Sequence, residues 1–327
     1  MIYVVSSTNR TGISISSKGY TRPLQLAGID HEFVPYSQFL RNIHDFRGKR
    51  CLIMPLPSTW NFTLSEKTTF TSVFVCESNT IPLKDREKLQ YMEDIWAPST
   101  FCSKILRHHN IDSKLIPYSI EAPKRARIVT QKFFTFMCSF DGKFTHYRKG
   151  ILKAINAFKA AFPFNPNIRL VIKTFDLKLP TYKELQQAMM EDDRISINST
   201  FVEQTDEIYD NIDCYVSLHA AEGFGMHMAE AMYREVPVIV TNYGGNTDFC
   251  NIYSSFLVNG DFINHSYDAQ YSWNGVWVKP DVAQAAATMK FVVENYNIAL
   301  EKARFGKALV ANLYSDQSIA NLLKQRI

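Results

Sequence analysis

The chain has 327 residues, 46% hydrophobic and 21% charged, with 13 Gly and 13 Pro. That fits about two globular domains and excludes a collagen-like or largely disordered protein. The formal net charge of +4, from 36 Lys+Arg against 32 Asp+Glu, is too small a surplus to point to nucleic acid but is compatible with an anionic ligand.

The six cysteines lie more than twenty residues apart, mostly within apolar runs such as "SVFVCES" and "FFTFMCSF". They read as small core residues, not as a zinc or disulfide framework, and imply a reducing, intracellular setting. The start "MIYVVSSTNR" lacks a signal-peptide pattern, and no apolar run reaches the ~18–20 residues of a membrane span. The expectation is a cytoplasmic protein. Basic residues near Lys104, Arg107 and Lys124–Arg127 are the candidates for peripheral membrane contact.

In chain order, "IYVVSS" reads as a strand, "GYTRPLQLAGI" as a helix, and "HEFVPY", "RCLIMPL" and "TSVFVCES" as strands. "DREKLQYMED" is a polar helix, "IWAP" a strand, and "STFCSKILRHHNI" a helix with Ser99 or Thr100 as N-cap. His108 and His109 are expected on its surface. "EAPKRARIVTQK" has no apolar periodicity before Ile128 and reads as a linker. The alternation then restarts: strand "FFTFMCSF", helix "RKGILKAINAFKAAF", strand "IRLVIKTF", helix "YKELQQAMM", strand "ISINST", helix "TDEIYDNI", strand "CYVSLHA". A loop and helix "EGFGMHMAEAM" follow, then the strand "VPVIVTN" and a largely helical tail from Asp281. Strands alternating with helices predict parallel sheets built from βαβ units. The expected layout is an N-terminal domain over 1–121, a linker over 122–132, a C-terminal domain over 133–305 and a terminal helix over 306–327 that could pack back on the first domain.

Two clusters carry chemistry. In "SLHAAEGFGMHMAEAM" a small-residue loop enters a helix, and Glu222 and Glu230 stand eight positions apart. Free amides at a helix N-terminus favour phosphate. A carboxylate is a good acceptor for paired sugar hydroxyls. In "GKFTHYRKG" three cations, Lys143, Arg148 and Lys149, sit before a helix. Cations there oppose the helix dipole, and a bound anion would remove the conflict.

Together "HYRKGILKAINAFKAAF…IRLVIKT", "DCYVSLHAAEGFGMHMAEAMYREVPVIVTNYGGNTDF" and "VWVKPD" resemble retaining glycosyltransferases of family 4. The resemblance covers most of 134–300 and implies an α/β, GT-B fold: two Rossmann-like doubly wound domains facing a central cleft. It implies a nucleoside diphosphate sugar donor, with GDP-mannose or UDP-glucose favoured, and a hydroxyl acceptor on a glycan, lipid or protein-linked glycan. It implies no cofactor and leaves a homodimer open; no metal is expected, because the chain has no D-x-D sequence and no His/Cys cluster. Residue by residue, Glu222 would hold the donor sugar and Glu230 the ribose, with Gly223, Phe224, Gly225 and Met226 around sugar and diphosphate. Lys149 matches the diphosphate lysine. Lys143 stands where an arginine is common, with Arg148 beside it. Thr174 and Ser199–Phe201 would line the base pocket, and Gly12 is all that remains of a glycine loop after the first strand. Gly244 and Gly245 are expected behind the site. His219 and His227 flank the motif, either as ligands or as packing residues.

Other readings are a nucleotide-sugar-binding protein without turnover and a nucleotide-sugar epimerase. A Rossmann dehydrogenase is disfavoured, because no G-x-G-x-x-G follows the first strand.

Overall fold

The computed structural model describes residues 1–8, 12–62, 68–130, 132–140, 146–174, 182–265 and 275–327. The chain divides into two units. Unit 1 comprises Met1–Glu121, Asn264–Val276 and Asn312–Ile327; unit 2 comprises Ala122–Ile263 and Trp277–Ala311.

Unit 1 runs β1 (Ile2–Ser6), α1 (Gly12–Leu26), β2 (His31–Pro35), α2 (Tyr36–Arg41), β3 (Cys51–Ile53), β4 (Phe70–Val73), α3 (Leu83–Leu89), β5 (Asp94–Ala97), α4 (Thr100–His108) and β6 (Lys114–Leu115). Its strands form one parallel sheet in the order β2-β1-β3-β4-β5-β6. The apolar runs fill its core: Val5, Ile53, Phe70, Phe74 and Leu106 pack in one buried cluster. Ser99 caps α4, its Oγ accepting from the Cys102 N–H at 3.2 Å. His109 is not simply a surface residue. Its Nε2 accepts from the Ile81 N–H at 3.1 Å, tying the end of α4 to the chain before α3.

Unit 2 runs β7 (Phe134–Ser139), α5 (His146–Lys149), α6 (Ile151–Ala161), β8 (Ile168–Lys173), α7 (Tyr182–Glu191), β9 (Ile195–Asn198), α8 (Thr205–Tyr209), β10 (Cys214–Ser217), α9 (Met226–Tyr233), β11 (Val238–Thr241) and β12 (Phe256–Val258). This sheet is also parallel, ordered β12-β11-β10-β7-β8-β9. β10 and β11 are buried along their whole length, as central strands of a sheet covered on both faces must be. A two-stranded ribbon, β13 (Gly260–His265) and β14 (Gly275–Pro280), comes next, then α10 (Val282–Glu294), α11 (Tyr296–Tyr314) and α12 (Asp316–Arg326).

Several local features depart from the expected boundaries. The first helix starts at Gly12 rather than Gly19. The expected single helix "RKGILKAINAFKAAF" is broken at Gly150, whose φ is +68°. The segment read as a linker is held by unit 2: Lys124 N–H donates to Asp206 at 2.9 Å, and Arg125 grips Asp210 with both guanidinium nitrogens. The tail helix breaks at Ser315, whose Oγ accepts from Ser318 N–H, so Gly306 lies inside α11. Within unit 1, α12 packs on α1, with Arg22 Nε 3.0 Å from both oxygens of Asp316. All six cysteines are buried and unbridged, as the apolar runs around them imply. No helix of the described residues is long and apolar enough to cross a membrane.

Candidate functional site

The residues singled out in unit 2 gather at one edge of its sheet. Lys149 and Arg148 follow β7, Thr174 and Phe201 follow β8 and β9, and the loop 218–225 follows β10. This is the carboxyl edge, where open parallel sheets bind ligands.

The loop between β10 and α9 is pinned from both sides by backbone contacts. On one side, Ala220 N–H donates to Arg148 O at 2.7 Å, and a Cβ on Gly150 would stand 1.8 Å from Leu218 O. On the other side Gly245 N–H donates to Glu222 O at 2.8 Å, and a Cβ on Gly245 would stand 2.0 Å from Gly223 O. Gly244 and Gly245 therefore clamp the loop from behind through the main chain. Gly225, with φ +100°, turns the loop into α9, a conformation that suits glycine. No side chain caps this helix, and its first amides have no acceptor within the helix.

Glu222 is 7% exposed, and its Oε2 forms an ion pair with Lys149 Nζ. Arg148, also buried, donates from Nη1 to Ala221 O at 3.2 Å. Burial alone would push the Glu222 carboxyl up. The charges of Lys149 and Arg148 outweigh it, joined by His219 once acid protonates that ring, and hold the carboxyl at about 2. It is ionised at neutral pH.

His219 is fully buried beneath this pair. Its Nε2 lies 2.9 Å from Tyr243 O and its Nδ1 2.9 Å from Ser217 Oγ. A carbonyl only accepts, so Nε2 carries the proton and Nδ1 accepts from the serine hydroxyl. Burial pushes the imidazole down to about 4, so it is neutral at pH 7. His219 is a packing residue that ties β10 to the Tyr243 carbonyl.

Glu230 lies one turn into α9 and is 8% exposed. Tyr209 Oη and His227 Nδ1 each stand 3.0 Å from its Oε2. Burial raises this carboxyl, but the His227 contact, Arg234 and Tyr209 outweigh it, and the balance is a lowered pKa. Arg234 is buried with Asp206, Nε to Oδ1 2.8 Å, and its guanidinium lies over the Tyr209 ring at 5.6 Å.

At the far side Thr174 is buried, its N–H bonded to Asn198 O at 3.0 Å. Phe201 is 48% exposed. Lys173 was not singled out from the sequence. Its ammonium donates to Thr200 O and lies 3.5 Å from Asn198 Oδ1, fixing the chain after β9. Lys143 falls outside the described residues. Gly12 opens α1 in unit 1.

Sequence reading did not find Tyr209 as a partner of Glu230. His227 carries a signal, since it precedes Glu230 by three residues and so shares its helix face.

A family model described as "Glycosyl transferases group 1" matches residues 130–308, more than half of the chain. No curated protein matches. Among solved structures, Anabaena Alr3699/HepE in complex with UDP and glucose superposes with a TM-score of 0.71 at 12% identity, covering 99% of this chain and 98% of that one. Sucrose-phosphate synthase from Thermosynechococcus elongatus gives 0.72 at 14% identity, covering 99% and 97%. The pneumococcal O-GlcNAc transferase GtfA in complex with UDP and GlcNAc gives 0.62 at 14%, covering 88% of this chain and 58% of that one. At such identities the likeness speaks for the fold, two Rossmann-like parallel-sheet domains of the GT-B type. The family match adds the chemistry: the protein belongs to the group 1 glycosyl transferases, enzymes that transfer a sugar from a nucleotide-sugar donor.

Proposed function

We propose that the protein is a retaining hexosyltransferase of family 4, moving mannose or glucose from GDP-mannose or UDP-glucose to a hydroxyl of a glycan, lipid or protein-linked glycan without a metal ion. The observation that carries this reading is the buried contact between Glu222 and Lys149 at the mouth of α9. A nucleoside diphosphate sugar can take up both halves of that pair: its sugar hydroxyls donate to the carboxylate, and its phosphate oxygens accept from the ammonium. Glu230, one turn along, then meets the ribose, and the uncapped amides of α9 meet the diphosphate. UDP-glucose is the donor to test first, since the HepE structure contains UDP and glucose.

In this reading no side chain acts as nucleophile. The acceptor oxygen attacks the anomeric carbon on the face the diphosphate leaves. The C–O bond to the diphosphate breaks as the new glycosidic bond forms, and the acceptor proton passes to the departing phosphate oxygen. Lys149, Lys143 or Arg148, and the helix N-terminus stabilise the charge that develops on the diphosphate.

Calorimetric titration against UDP, GDP, UDP-glucose and GDP-mannose identifies the donor. Glu222→Gln should lower kcat/KM by about a hundredfold or more, and Glu230→Ala should weaken ribonucleotide binding by about tenfold or more. Turnover should survive EDTA. Full turnover in Glu222→Gln would overturn the scheme.

A further inference from the structure

Glu230 is the only acidic side chain on α9, and both of its hydrogen bonds from described side chains fall on one oxygen. Tyr209 Oη stands 3.0 Å from both Oε2 and the His227 carbonyl oxygen, and its single phenolic proton is shared between these two acceptors. His227 stands 3.0 Å from the same atom through Nδ1, and an ionised carboxylate can only accept, so Nδ1 is the donor. The tyrosine arrives from α8, is fully buried, and is backed by the Arg234 guanidinium over its ring. The histidine arrives from the first turn of α9 itself, on the part-exposed side of the carboxylate. The two donors come from different elements, so the carboxylate plane is fixed and not free to rotate about the glutamate side chain.

We propose that His227 is a positioning residue of the donor site, acting with Tyr209 to saturate Oε2 of Glu230 so that Oε1 alone receives the ribose diol. An ionised carboxyl oxygen offers two lone pairs. With Oε2 committed to tyrosine and histidine, the two on Oε1 match the two hydroxyls of a ribose. His227 therefore works through Glu230 and needs no contact with sugar or phosphate. This inference rests on the assignment of Glu230 to the ribose.

The test compares affinities for UDP and 2′,3′-dideoxy-UDP, or the GDP pair if the protein binds GDP better, in the wild type, His227→Phe, His227→Asn and Glu230→Ala. The wild type should favour the ribonucleotide. His227→Phe removes the donor and should weaken ribonucleotide binding about tenfold while leaving the dideoxynucleotide unchanged, because one hydrogen bond to a charged group is lost. His227→Asn places an amide donor near the Nδ1 position and should recover most of the preference. Turnover should follow the same pattern, with donor KM rising and kcat changing less. A His227→Phe protein that keeps the wild-type preference, or that loses both nucleotides equally, overturns the role of His227. A wild type with no preference, unchanged by Glu230→Ala, overturns the ribose assignment beneath it.

Discussion

Removing Lys149 tests the electrostatics of the site without reference to any substrate. Holding the Glu222 carboxyl at about 2, against 4.5 for the free side chain, corresponds to a preference of about 3 kcal/mol for the ionised form in the folded protein. Among the charges that oppose burial, Lys149 acts most strongly, ahead of Arg148 and His219. Lys149→Met leaves the carboxylate buried with Arg148 as its main cation. A fully buried orphan costs about 3–5 kcal/mol. The lysine side chain is 21% exposed, so the expected loss is about 2–3 kcal/mol, read by urea unfolding near neutral pH. The sign with pH is fixed: a lowered carboxyl contributes stability above its unfolded value and loses it as pH falls towards the folded value. The deficit of Lys149→Met should therefore shrink as the pH falls from neutral towards the acid range. Adding Glu222→Gln to Lys149→Met should restore most of the stability. A single variant within about 0.5 kcal/mol of wild type, or a double variant that loses the sum of both singles, would refute this account.

Two further substitutions probe what positions the site. Gly150→Ala puts a Cβ 1.8 Å from the Leu218 carbonyl at φ +68°; it should cost at least about 3 kcal/mol, seen as a lowered Tm or loss of soluble protein, and a normal Tm would show that the loop can move aside. Arg234→Met strands the buried Asp206 carboxylate and should cost about 3–5 kcal/mol in urea unfolding, partly recovered by Asp206→Asn.

What the sequence revealed was what depends on local period and chemistry. The apolar runs from "IYVVSS" to "VPVIVTN" became strands of two parallel sheets, because a strand covered on both faces must be apolar throughout. Ser99 was readable as an N-cap because the cap bond reaches only three residues. "EGFGMHMAEAM" was readable as loop then helix because glycines at the turn and good helix formers after it act locally. The ion pair of Lys149 with Glu222 was not readable, since it joins residues 73 apart through the packing of α5 against the loop after β10. The ribbon β13–β14 was missed for another reason. Its first strand is mostly exposed, "GDFINH", so neither face shows an apolar alternation. The break at Gly150 was hidden because a helical pattern runs through it, and only the close approach of the Leu218 carbonyl demands the turn.

Unit 1 is assembled from three stretches that are far apart in the chain. Its first 121 residues contain every strand of its sheet, yet α1 lies against α12, where Ile319, Ala320 and Leu323 are buried, and Ile120 N–H is bonded to Tyr314 O at 2.7 Å. An excised fragment 1–121 would keep the sheet but lose the cover on one helix, exposing apolar surface that the intact protein hides. The order of synthesis follows the same logic: the second unit's sheet is complete before the last piece of the first emerges. The first unit can close only when residues Asn312–Ile327 have been made.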